Sequence, residues 1–180
     1  MRPKLHILAI VLVLGTVAGA QAVSIQLDAG TFRVTGWQAP VRTFVPYTLG
    51  GEPYVLAAYT CTPLVKIPVS ALKPGAQVKG VTIADLGSGN QPLDMVPYKK
   101  DGHDFILIAN TTYGVVKLHA DTLATDKPID SPTVVDVAGA PYDKISTLTN
   151  VRHLARVDDG HALVVSATPG NTNLQTIALP

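Results

Sequence analysis

Gly102-His103-Asp104-Phe105-Ile106-Leu107-Ile108-Ala109-Asn110-Thr111-Thr112-Tyr113-Gly114-Val115-Val116-Lys117-Leu118 reads as a tight turn, an apolar strand, a polar turn and a second strand. The same grammar stands, without a gap, at Gly51-Glu52-Pro53-Tyr54-Val55-Leu56-Ala57-Ala58-Tyr59-Thr60-Cys61-Thr62-Pro63-Leu64-Val65-Lys66-Ile67. A more worn copy runs from Gly160-His161-Ala162-Leu163-Val164-Val165-Ser166-Ala167 to Leu174-Gln175-Thr176-Ile177. A unit of two strands that recurs at this spacing predicts a repeat architecture.

The match extends upstream of each copy. Gly36 to Gly51 and Gly87 to Gly102 are both intervals of 15 residues, and each holds the same tripeptide, Val45-Pro46-Tyr47 and Val96-Pro97-Tyr98. The third interval, Gly139 to Gly160, is 21 residues. Each unit then has four strand segments, termed d, a, b and c in chain order. Strand d ends at Gly36 (Thr31–Thr35), Gly87 (Val81–Asp85) or Gly139 (Thr133–Val137). Strand a is expected near 41–47, 93–98 and 150–157, b near 53–59, 104–110 and 162–167, and c near 64–69, 115–120 and 173–179. The a–b connections are Gly50-Gly51, Asp101-Gly102 and Asp159-Gly160, pairs that supply the positive φ angles of a two-residue hairpin turn. Asp101 and Asp159 are accordingly read as turn residues rather than catalytic ones.

The b segments are apolar at successive positions, as in Tyr54 to Ala58 and Phe105 to Ala109. A strand apolar on both faces is covered on both faces. An ordinary two-sheet sandwich would show a polar outward face. The aligned Ala58, Ala109 and Ala167 mark positions where neighbouring sheets approach closely. Helix has little support. In Tyr142 to Arg156 the residues Ile145, Leu148, Val151 and Leu154 fall three apart, but Ser146, Thr147, Thr149 and Asn150 weaken a helix. The segment is read as an enlarged d–a loop, with room for a helical turn, leading into strand a.

Residues 1–22 have the form of a secretory signal peptide. Arg2 and Lys4 precede an apolar run from Ile7 to Ala20, and Ala20-Gln21-Ala22 is a small-x-small cleavage pattern. An uncleaved anchor is the alternative. Residues 23–180, 158 of the 180, are expected to form a single domain. Without Arg2 and Lys4 the 14 Lys and Arg become 12, against 13 Asp and Glu. Near-neutral charge without a basic stripe excludes a nucleic-acid partner, and no further long apolar segment predicts membrane insertion after cleavage. Cys61 is the only cysteine, so no disulfide can form within one chain.

Three d-a-b-c units of about fifty residues resemble the blades of a β-propeller, four-stranded antiparallel sheets around a central channel. The resemblance spans residues 23–180 and lies in period and pattern. Neither the Trp-Asp ending of one propeller class nor the recurring double-glycine pattern of the kelch class is present. The spacing and the apolar b strand are most similar to secreted bacterial propellers of the six-bladed and quinoprotein-like kind, and no catalytic residue is carried over from them. The resemblance implies an all-β fold of three four-stranded antiparallel blade-like repeats, a half β-propeller. Rings normally close with about four to eight blades. Two outcomes are open: two chains pair head to tail into a closed ring, each lending its first d strand to the other, or the chain is an open half-propeller or a truncated relative of a longer protein.

Strand polarity puts the d–a and b–c loops at one end of the sheets and the a–b turns at the other. The first end collects aromatic and amide residues, which suits a small-molecule, glycan or protein ligand. Trp37, Tyr59, Asn110 and Tyr113 are the candidate ligand-binding residues, against the plainer reading that Asn, Ser, Thr and Gly form turns. No catalytic residue, metal site or cofactor is expected. His103 and His161 each follow an Asp-Gly pair and read as structural, and no Cys-x-x-Cys-His occurs. Gly87-Ser88-Gly89-Asn90 lacks a following helix to hold a phosphate. Asn110-Thr111-Thr112 fits a glycosylation sequon, relevant only to a eukaryotic secretory route. The expected protein is a secreted or periplasmic binding or scaffold module. The alternative is an enzyme, a hydrolase or quinoprotein-like fragment that works only within a larger ring.

Overall fold

Two tight turns set the register of the first two hairpins. In the computed structural model, which describes residues 24–27, 40–60, 63–87, 89–129 and 138–180, Gly50 and Gly51 have φ of 57° and 87°, and Asp101 and Gly102 have φ of 51° and 82°. Positive φ at both central residues matches the right-handed twist of the flanking strands. Strands β2 (Val41–Leu49) and β3 (Glu52–Tyr59) therefore close with Leu49 opposite Glu52. Strands β6 (Pro92–Lys100) and β7 (His103–Asn110) close with Lys100 opposite His103.

The third hairpin departs from the expected two-residue turn at Asp159-Gly160. Between β11 (Val151–Arg156) and β12 (His161–Thr168) the last pair is Arg156 and Ala162, and the loop is wider. Asp158 organises it. One carboxylate oxygen accepts the Gly160 N–H at 2.8 Å and lies 2.9 Å from His161 Nδ1, while the Val157 N–H donates to the His161 carbonyl at 2.9 Å. A side-chain acceptor does here what positive φ does in the other two turns.

The fold is all-β, with strands gathered in three mainly antiparallel sheets. The first holds β2, β3, β4 (Pro63–Pro68) and β5 (Gln77–Asp85), and β1 (Ser24–Leu27) pairs parallel to β5. The second holds β6, β7, β8 (Val115–His119) and β10 (Tyr142–Ile145). The third holds β11, β12 and β13 (Asn171–Ala178). The short strand β9 (Ala138–Gly139) returns to pair with β5. The expected regular count of four holds in the second sheet. The first is larger, and the third has three strands among the described residues. The a, b and c segments fall where the repeat places them. The second sheet's outer strand does not: it is β10, after Gly139, not a segment ending there. Thr133–Val137 and Thr31–Thr35 lie outside the described residues, as do residues 1–22. Tyr142–Ile145 escaped the pattern because an outer strand exposed along one edge needs no apolar run, and Tyr-Asp-Lys-Ile carries none. The helical turn allowed for in Tyr142 to Arg156 is absent; a strand, a turn and β11 fill that stretch.

The three sheets stack by their faces. Leu56 and Ala58 of the first sheet pack against Ile106 and Ile108 of the second, all at most 0% exposed. One residue along, Leu107 and Ala109 pack against Ala162 and Val164 of the third sheet. The middle strand β7 is thus buried on both sides, as its unbroken apolar run requires. The innermost strands β2, β6 and β11 lie side by side with β6 in the centre. Pro46 and Pro97 sit on β2 and β6, which are edge strands of their sheets, where a missing N–H costs no ladder bond. Among the described residues no helix is long and apolar enough to cross a membrane.

Truncating Leu107 to Ala removes contacts on the interface between the second and third sheets, and is expected to cost about 2–5 kcal/mol of unfolding free energy. Leu174→Ala, at a position 62% exposed, should change it by no more than about 0.5 kcal/mol. Urea denaturation of the two variants checks the contrast; equal costs would contradict the face-to-face packing.

Candidate ligand-binding site

The β7–β8 loop, residues 110–114, is tied down by two buried amides. Asn90, in the connection from the first sheet to the second, is 0% exposed, and Asn110, at the end of β7, is 4% exposed. Asn90 Nδ2 donates to Asn110 Oδ1 at 3.2 Å, and Asn110 Nδ2 donates to the Ile108 carbonyl at 3.0 Å. Asn90 Oδ1 accepts the backbone N–H of Thr112 at 3.1 Å and of Tyr113 at 3.3 Å. Around this pair, the Thr111 N–H donates to the Gln91 carbonyl at 2.9 Å, and the Thr112 hydroxyl donates to the Gly89 carbonyl at 3.0 Å. The loop closes on itself through the Asn110 N–H and Gly114 carbonyl at 2.8 Å. A loop with this many internal bonds is held in one shape before any ligand arrives.

That loop forms one wall of a cavity of about 350 Å³ between the second and third sheets. The other walls come from the end of β10, with Lys144, the connection with Ser146, Thr149 and Asn150, and the start of β11, with Arg152. The Lys144 ammonium sits 4.1 Å from the centre of the Tyr113 ring, close enough for the ring face to attract it. Tyr113 in turn packs against the core between the first two sheets. The lining holds two cations, hydroxyls, amides and an aromatic ring, but no Asp, Glu or His. Among the described residues neither Lys144 nor Arg152 is in an ion pair. A second cavity of about 220 Å³ shares Thr149 and Asn150 with the first and continues it across the third sheet to Ser166, Thr168, Asn171 and Asn173, all uncharged.

No family model matches the sequence, and a search of curated proteins found no match.

The structure brings two of the four residues expected from sequence to this cavity. Tyr113 and Asn110 both line it, although the Asn110 side-chain amide is already engaged with Asn90 and Ile108. Tyr59 lies elsewhere, buried on the far face of the first sheet with Ala57 and Val65, where burial raises its hydroxyl pKa. Trp37 lies outside the described residues. Arg152, Ser146, Thr149 and Asn150 were not singled out as site residues. Their signal in the sequence is the Ser/Thr/Asn cluster before β11: the same residues that weaken a helix there also line a loop cavity.

The opposite end of the sheets carries a further group of ionisable side chains. Asp121 accepts the Asp104 N–H at 2.8 Å and lies 2.9 Å from His103 Nδ1, and these two contacts hold its carboxyl below the usual range. His119 Nε2 lies 2.9 Å from Asp143, and its ring meets Phe105 edge-on at 5.4 Å. His103 and His161 thus hold turn and loop geometry, each beside an aspartate. No group of three or more metal-binding side chains occurs among the described residues. Tyr47 and Tyr98 line a third cavity at this end, of about 380 Å³. Burial pushes both hydroxyls up to about 12, with Asp104 and Asp121 adding to the effect at Tyr47 and Asp143 at Tyr98. The Tyr98 hydroxyl donates to the Pro180 carbonyl at 2.7 Å, tying the chain end to β6.

Asn90→Ala should therefore lower stability by about 1–3 kcal/mol, because it leaves buried partners unsatisfied. Hydrogen exchange at the Thr112 and Tyr113 amides should rise more than at β7 amides; uniform exchange would refute the Asn90 hub. A separate expectation concerns alkali. A folded-state tyrosine pKa raised above the unfolded value of 10.0 contributes stability that is complete below pH 10 and is lost as pH rises toward 12. Phenolate absorbance and circular dichroism recorded together should show unfolding in that window, with the Tyr98→Phe variant less sensitive.

Proposed function

We propose that this chain is a secreted or periplasmic binding module built of three propeller-type blades, with its ligand held at the end formed by the β7–β8 loop and the β10–β11 connection. The observation that carries the reading is the cavity between the second and third sheets. Its β7–β8 wall is prearranged by the Asn90–Asn110 bonds, and its lining joins polar and aromatic groups to Ile145, Leu148 and Val151 without a carboxylate or imidazole. An enzyme acting through acid–base chemistry would bring such groups to one reacting position; the Asp94–His153 pair on β6 and β11, 3.7 Å apart, is not part of the lining. Face-to-face stacking and the regular a, b and c positions support the blade reading, and the signal-like residues 1–22 support export.

The lining also suggests the ligand's chemistry. Lys144 and Arg152, both without a carboxylate partner among the described residues, favour an anionic group. The adjoining hydroxyls and amides favour a ligand rich in hydroxyls, such as an acidic sugar followed by a neutral one across the shared Thr149 and Asn150. Titration with an oligosaccharide that alternates glucuronate and N-acetylglucosamine tests this by chemical-shift changes at residues 111–114 and 144–152. Lys144→Gln and Arg152→Gln are each expected to weaken binding about tenfold or more, the loss of one charge-assisted contact. Equal binding of a neutral N-acetylglucosamine oligomer would remove the anionic part of the reading. No response at these residues to either sugar would remove the glycan.

A further inference from the structure

Arg152 reaches the cavity because it is out of step with its own strand. The ladder between β11 and β12 passes from Val151 opposite Ser166 straight to His153 opposite Val165, so Arg152 is an extra residue without a partner. A bulge of this kind re-aims a side chain, and a slip of one residue moves side chains to the opposite face. Two bonds hold the bulge, one on each side of it. Before it, the Ala167 N–H donates to the Asn150 carbonyl at 3.0 Å. After it, the Leu154 N–H donates to Asp94 Oδ2 at 2.9 Å, a bond that crosses from the third sheet to β6 of the second. The carboxylate is itself oriented, since its other oxygen accepts the Met95 N–H at 2.9 Å.

We propose that Asp94 is the positioning residue of the anionic subsite. By holding Leu154 it fixes the bulge at Arg152, and so keeps the guanidinium in the cavity wall. The inference rests on the reading of this cavity as a site for an acidic sugar. Asp94 is not part of the lining and does not touch the ligand. Its contribution lies in the acceptor oxygen, not in the negative charge, because a carboxylate near the site would repel an anion. The two effects have opposite signs, so substitution separates them.

Calorimetric titration with the oligosaccharide of glucuronate and N-acetylglucosamine tests the role. Asp94→Ala is expected to weaken binding about tenfold, as Arg152→Gln does, and the double variant should lose no more than either single one. Asp94→Asn, whose amide oxygen can still accept the Leu154 N–H, should bring the affinity back to within about threefold of the wild type. In the ligand-free protein the Arg152 and Leu154 amide resonances should shift in Asp94→Ala and stay near their wild-type positions in Asp94→Asn. Losses that add in the double variant overturn the proposal. So does Asp94→Ala binding as well as the wild type or better, which would make the carboxylate a bystander or a repelling charge. Should Asp94→Ala not fold, Asp94→Asn alone decides, and a tenfold loss in that variant overturns the acceptor role. A wild type that does not bind the sugar removes the binding reading and this role together, whereas full binding by Asp94→Ala removes the positioning role alone.

Discussion

The structure depends on a middle strand that has no solvent side. Leu107 and Ile106 are neighbours in sequence, point to opposite faces of β7, and are both fully buried. Burying a side chain of this size is worth about 1.5–3 kcal/mol, and β7 collects that gain on two faces. The consequence is a stack in which the second sheet shares both of its faces, one with each neighbour. Each interface is shared, so the loop cavity between the second and third sheets is only as rigid as the Leu107 and Val164 packing beneath it.

Rigidity at the loop end is then completed by polar bonds of another kind. Asn90 and Asn110 are buried side by side, and each amide is satisfied by the other or by backbone. An amide in that position is costly if left unpaired, and that cost makes the loop shape specific. Tyr113 has one side on the core and the other under Lys144, so a hydrophobic contact and a cation are placed by the same ring. The apolar stack and the polar knot therefore meet at a single residue on the cavity wall.

The sequence carried the strand pattern well wherever apolar residues had to be buried on both sides. Segments b and c, and the Gly50-Gly51 and Asp101-Gly102 turns, were legible because burial and positive φ each leave a narrow choice of residue. Strand β10 was not, since Tyr-Asp-Lys-Ile at a sheet margin is compatible with a loop. The third hairpin was misread for a related reason: Asp159-Gly160 has turn composition, but Asp158 supplies the acceptor that shapes the loop. At the site, Tyr113 and Asn110 were visible as loop residues, whereas the contribution of Arg152 depends on β11 starting beside β10. Side chains brought together from two sheets leave no spacing to read.

The prolines on the inner strands carry one more implication. Pro46 and Pro97 interrupt the row of amide donors along two of the three inner margins, while β11 has Leu154 in the same register, opposite Val164. Strands that lack a donor there are poor templates for zipping edge to edge. The three sheets are thereby discouraged from merging sideways into one continuous cylinder. Of the three inner margins, β11 alone keeps a donor at that position, and it is spent on the Asp94 carboxylate of β6, which ties the third sheet to the second.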